Sequence, residues 1–170
     1  MKIVNHQKAI RAHTEQMAKA KASYVDGPWN AEPDRVEWRS RSRGLVCLVT
    51  RNQVGAWCGY VGLPPGHAFH GKHWDDVPVD VHGGLTFSGF CSGHICHVPA
   101  KGEPEDVWWL GFDCAHAFDL IPAMSTFLTK DNHHELDTGH VYHTYRDLAY
   151  VKREVERLAD QLVSLVEKVP

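Results

Sequence analysis

Residues 80–119, DVHGGLTFSGFCSGHICHVPAKGEPEDVWWLGFDCAHAFD, hold three of the chain's five cysteines and four of its 13 histidines. Thiolate and imidazole are the usual zinc ligands. An imidazole beside a carboxylate makes a general base with an orienting partner. The candidate zinc ligands are His82, His94, Cys96, Cys114 and His116, and the candidate catalytic residues are His82, Asp113 and His116. No local pair has a standard zinc-finger spacing. The competing assignment is therefore small buried cysteines and hydrogen-bonded core histidines, and it is favoured outright for Cys47 and Cys58. Covalent cysteine catalysis is disfavoured, because Cys114 and His116 fall on a strand whereas an activated nucleophile usually sits at a turn lined with backbone donors.

Ligand-binding groups come from the surroundings. Residues 64–77, PPGHAFHGKHWDDV, form a long loop of the kind that often carries function. Within it Lys72, Asp75 and Asp76 make a charged cluster able to close over a ligand. His67, His70 and His73 recur every three residues, a spacing without fixed geometry in a loop. Trp108 and Trp109 point to opposite faces of a strand, one under a helix and the other free to line a pocket and stack a base or sugar. Trp109 and Arg146 complete the ligand-binding set.

A sheet is needed to gather these groups. Strands are expected at residues 45–50, 56–63, 79–88, 94–98 and 107–113, with the first pair joined by a turn at Asn52-Gln53-Val54-Gly55. A hairpin loop at 99–106 pairs positions whose numbers sum to roughly 206, which brings Cys91, His94, Cys114 and His116 to one open end. The Gly83-Gly84 pair marks a bulge or close approach that leaves space beside His82. If the last strand ends near Phe112, then Asp113, His116 and Asp119 surround one pocket. A helix is expected over 5–24. A second starts at Thr144, capped by Thr144 and Asp147, with an apolar stripe of Leu148, Val151, Val155, Leu158, Leu162 and Leu165. The fold class is α+β: a mainly antiparallel sheet of about five strands with the N- and C-terminal helices packed on one face. The 170 residues suit a single domain, with a helix and irregular segment over 1–43, a sheet core over 44–120 and a helix over 144–168.

A net charge of −3 argues against a general electrostatic clamp on nucleic acid. The run RVEWRSRSR at 35–43 reads as a solvated face or loop rather than a phosphate contact. Residues 1–20 lack the apolar segment of a signal peptide, and no apolar run approaches a membrane span. These features point to a reducing cytoplasm, with the cysteines as thiols or metal ligands rather than disulfides.

The motifs GYVGLP at 59–64, DVHGGLT at 80–86 and WWLGFDCAH at 108–116 are distinctive. Over residues 44–165 the chain resembles a family of small uncharacterised proteins of bacteriophage and bacterial genomes. The resemblance implies a cytoplasmic, phage-related role and carries no assigned reaction. One departure bears on the backbone: Phe118 stands where that pattern places Gly after DCAHA.

Two functions of different classes fit. One is a small hydrolase acting on a nucleotide or another phosphorylated small molecule, with zinc as its candidate cofactor. The other is a non-catalytic binding module that sequesters a small ligand or inhibits a host protein, with the apolar stripe as a homodimer surface. In a third, structural reading the cysteines and histidines are core.

Overall fold

The computed structural model describes residues 2–127 and 143–167. Helix α1 (Lys2–Lys21) is followed by β1 (Arg35–Arg39), β2 (Val46–Arg51), β3 (Trp57–Leu63), β4 (Phe87–Phe90), β5 (Trp108–Asp113) and helix α2 (Leu148–Glu167). The five strands make one antiparallel sheet in the spatial order β1-β2-β3-β5-β4. The architecture is thus α+β, as the sequence pattern predicts.

Side chains alternate across the sheet with period two. Cys47, Val49, Trp57, Val61, Leu110 and Phe112 face one way. Val46, Leu48, Cys58, Tyr60 and Trp109 face the other. Helix α2 lays Val151, Val155, Leu158 and Leu162 on the first face. Gly59 makes this approach possible, since a Cβ there would stand 2.5 Å from Val155 Cγ2. The sheet fills the stripe that the sequence offered as a homodimer surface.

The two helices do not share a face. His13 of α1 stacks on His94 with ring centroids 3.6 Å apart, and His13 and Gln16 share a cleft with Cys58 and Tyr60. Met17 is the sole buried apolar residue of α1 among those described, so this helix has no stripe with which to compete for the α2 face.

Three local expectations are corrected. The segment 94–98 is not a strand. The Arg35 guanidinium binds the His94 and Cys96 carbonyls, and a Ser92–Ile95 bridge bends the chain. The strand beside β5 is instead β4, in which Phe87 pairs with Gly111 and Phe90 with Trp108. The run assigned to a solvated loop supplies β1, an edge strand in which Arg35 pairs with Thr50 and Arg39 with Val46. Helix α2 begins after Asp147, whose Oδ1 accepts the Tyr150 N–H at 2.7 Å. Thr144 stays extended because its backbone bridges Asp119. Most of the polar stretch 125–141 lies outside the described residues.

One polar cluster ties these elements together. Arg51, with its side chain 1% exposed, donates to Glu32 Oε2 at 2.8 Å and to Asp34 Oδ1 at 3.1 Å. Its guanidinium carbon lies 4.1 Å from the Trp57 ring centroid. Glu32 also accepts from Tyr145 Oη, Trp57 Nε1 and the Leu148 N–H that opens α2. Burial alone would raise the Glu32 carboxyl, but these donors outweigh it and hold it below the ordinary glutamate range.

Candidate functional site

The register of β4 and β5, continued past Gly111, sets residue 82 level with residue 116, and the structure closes that end into one polar group. Strand β5 stops at Asp113, and the chain turns back so that the Asp119 N–H donates to the His116 carbonyl at 3.1 Å. The Thr144 N–H donates to the Phe118 carbonyl at 2.8 Å, and the Leu120 N–H to the Thr144 carbonyl at 2.9 Å. These bonds tie the turn to the segment leading into α2.

Asp119 stands at the centre with its side chain 1% exposed. Its Oδ2 lies 2.7 Å from His82 Nε2 and accepts the His116 backbone N–H at 3.1 Å. Its Oδ1 accepts from Arg146 Nε at 2.8 Å. A carboxylate only accepts, so the His82 ring N–H that meets it is on Nε2, and in a neutral ring Nδ1 then accepts a hydrogen bond from the Tyr150 hydroxyl at 2.9 Å. The His82 N–H donates to Glu154 Oε2 at 2.9 Å. Both nitrogens of His82 are therefore engaged, and its ring is held rather than free.

His116 differs. Its ring rests on the Gly83 backbone, where a Cβ would stand 2.0 Å from Nε2. That contact, with φ +66° at Gly83, is why glycine follows His82. Nε2 is buried without a hydrogen-bond partner and lies 3.7 Å from Asp113 Oδ1. The His116 side chain is nonetheless 33% exposed, so its accessible part lies elsewhere on the side chain. Asp113 is 29% exposed and is itself anchored by Thr86 Oγ1 at 3.0 Å and by the Ala115 N–H at 3.0 Å. An imidazole beside an anchored carboxylate, open on one side, is an arrangement suited to proton transfer.

The three residues expected to be catalytic thus stand together, with His82 and His116 ring centroids 5.6 Å apart. The proposed zinc ligands do not. Among the described residues no three of His82, His94, Cys96, Cys114 and His116 bring ligand atoms within 4.8 Å of one another. Cys96 is bonded to Cys91 as a disulfide, which corrects the expectation that all cysteines are thiols or metal ligands. His94 is taken up by the stack with His13, and burial pushes its pKa down to about 4. Cys114 is 2% exposed in the core under α2, where burial raises its thiol well above the ordinary range. Such a thiol resists becoming a ligand or nucleophile. Among the described residues, the one group that does converge is His6, Cys91 and Cys96.

Of the ligand-binding set, only Arg146 belongs to this end. Trp109 is fully buried on the face away from α2, packed beside His97. Trp108 is the one of the two tryptophans that packs against the α2-side core. The Lys72 carbonyl accepts from Trp108 Nε1, at the start of β5, whereas His116 follows its end. Asp75 and Asp76 sit exposed in a short helical turn of the same loop. Tyr150 and Glu154 were not singled out from the sequence, although their four-residue spacing puts them on one helix face.

Two predictions arise from this geometry. Phe118 holds φ +72° with its side chain 57% exposed, a left-handed conformation that favours glycine. Phe118→Gly should raise the unfolding free energy by roughly 1 kcal/mol in urea melts. Asp119 is held below the usual aspartate range, because Arg146, His82 and the His116 amide together outweigh the opposing effect of burial. A carboxylate depressed on folding contributes stability above its unfolded pKa, about 3.9 for Asp and 4.3 for Glu, and that stability is lost as pH falls through the folded pKa. Melts should therefore show stability falling below about pH 4, with a shallower fall in Asp119→Asn than in the wild type.

Comparison with protein-family models, curated proteins and solved structures finds no match.

Proposed function

We propose that the protein is a small, cytoplasmic, phage-related hydrolase acting on a phosphorylated small molecule such as a nucleotide, and that it belongs with the small phage and bacterial proteins its motifs resemble. His116 is the proton-transfer residue and Asp113 its orienting carboxylate. Asp119, His82 and Tyr150 form the frame that fixes the His116 backbone. Arg146, 27% exposed and stacked 4.9 Å from the Tyr150 ring centroid, is the cation available to a phosphate beside them.

The observation that carries this reading is the contrast between the two histidines. His82 has every ring nitrogen partnered, whereas His116 keeps Nε2 unpartnered next to Asp113 on a partly exposed side chain. A purely structural cluster would satisfy both. Since the five expected zinc ligands are not gathered, His116 and Asp113 are given their roles without one.

The test is a screen for phosphate release from nucleotides and sugar phosphates. Turnover by the wild type, lost in His116→Ala and strongly reduced in Arg146→Ala, is the expected result. Ligand binding without turnover would replace this reading with the sequestering module.

A further inference from the structure

A second cleft, of about 460 Å³, is lined by Phe90, Cys91, Cys96 and His97, together with His6 of α1. His6, Cys91 and Cys96 each offer a ligand atom, and these atoms lie within 4.8 Å of one another. With Cys91 and Cys96 joined as a disulfide, the sulfurs have no thiolate to give a metal. His97 supplies an independent sign. It lines the same cleft, is 2% exposed, and its Nδ1 is buried without a hydrogen-bond partner. A buried ring nitrogen left unbonded calls for a partner that the protein itself does not provide.

We propose that reduction of the Cys91–Cys96 disulfide turns this cleft into a site for a thiophilic divalent cation, zinc foremost, held by Cys91, Cys96 and His6, with His97, which lines the cleft outside their 4.8 Å group, moving in as the fourth donor. The step balances with a thiol reductant. Two thiols give up two electrons and two protons and become a disulfide, while the Cys91–Cys96 S–S bond breaks to two thiols. Binding the cation then releases both cysteine protons to solvent, since thiolate is the ligand. Breaking the bond also lets the sulfurs separate to the spacing of two ligands on a tetrahedral ion, each about 2.3 Å from the metal. Two thiolates and two neutral imidazoles are a common zinc donor set, and their charge cancels that of the ion. The cysteines are five residues apart and join the end of β4 to the following loop, so the bound ion would tie α1 to that edge of the sheet. A reducing cytoplasm favours the metal-binding form and oxidation abolishes it. The site is independent of the His116 pocket.

The test is a cobalt titration of the full chain before and after reduction with a phosphine, followed by competition with zinc. Reduced protein should develop thiolate-to-cobalt charge-transfer absorption and the visible bands of a tetrahedral ion. Zinc should abolish both, and oxidised protein should show neither. His6→Ala leaves both cysteines in place and should weaken or lose the tetrahedral bands while circular dichroism remains that of the wild type. Cys91→Ser should lose the charge-transfer band. Reduced wild type without that band would overturn the proposal. So would a Cys91→Ser protein that retains it in full, because the signal would then come from Cys47, Cys58 or Cys114.

Discussion

Arg51→Met should lower the unfolding free energy by about 3–5 kcal/mol, measured from urea midpoints at neutral pH. Methionine keeps much of the volume but removes the charge, leaving Glu32 and Asp34 facing each other with side chains only 15% and 9% exposed. Lys21 still reaches Asp34 at 2.8 Å, but Glu32 loses its guanidinium. The loss comes mainly from stranding a buried carboxylate, so Glu32→Gln added to Arg51→Met should recover part of it, and the two changes should not be additive. A loss below about 1 kcal/mol, the range of exposed ion pairs, would show that the cluster contributes no more than a surface pair.

His116→Ala and Leu158→Ala should separate function from fold. Leu158 is fully buried between α2 and the sheet. Truncating such a leucine costs about 2–5 kcal/mol through lost transfer energy and the cavity left behind. His116 rests on Gly83 with a third of its side chain exposed and makes no ring hydrogen bond through Nε2. Its removal should abolish phosphate release and leave the melting curve close to that of the wild type. Thermal melts in the reverse order would make His116 a core residue and the proposed pocket a structural joint.

The strands were legible where the pattern had one cause. Residues 46–51 and 57–63 alternate or run apolar between a clear turn and a proline, and β2 and β3 fall within a residue of the expected positions. The stripe on α2 was equally plain. What the pattern could not convey were places where one long side chain decides the backbone. Arg35 takes the carbonyls of residues 94 and 96 and so removes a strand that the local composition favoured. The error in that hairpin moved the register and scattered the supposed zinc ligands.

For the site, proximity was legible and roles were not. The Gly-Gly pair after His82 and the early end of β5 both pointed to one pocket, and His82, Asp113, His116 and Asp119 do meet there. Spacing alone could not reveal that Asp119 is the buried hub, because two of its partners, His82 and Arg146, come from distant segments. The buried cluster at Arg51 did leave a sign. An arginine on the same strand face as Cys47 and Val49 points inward and needs carboxylates, and the segment leading into the antiparallel partner strand offers Asp34 and Glu32.

His116, not His82, should meet the ligand. Proton–carbon spectra of the histidine rings, assigned by single His→Gln variants, test it directly during titration with inorganic phosphate. Saturable shifts of the His116 ring, small changes at His82, and loss of the response in Arg146→Ala are expected. Shifts confined to His67, His70 and His73, or a His116 ring unmoved by phosphate, would contradict it.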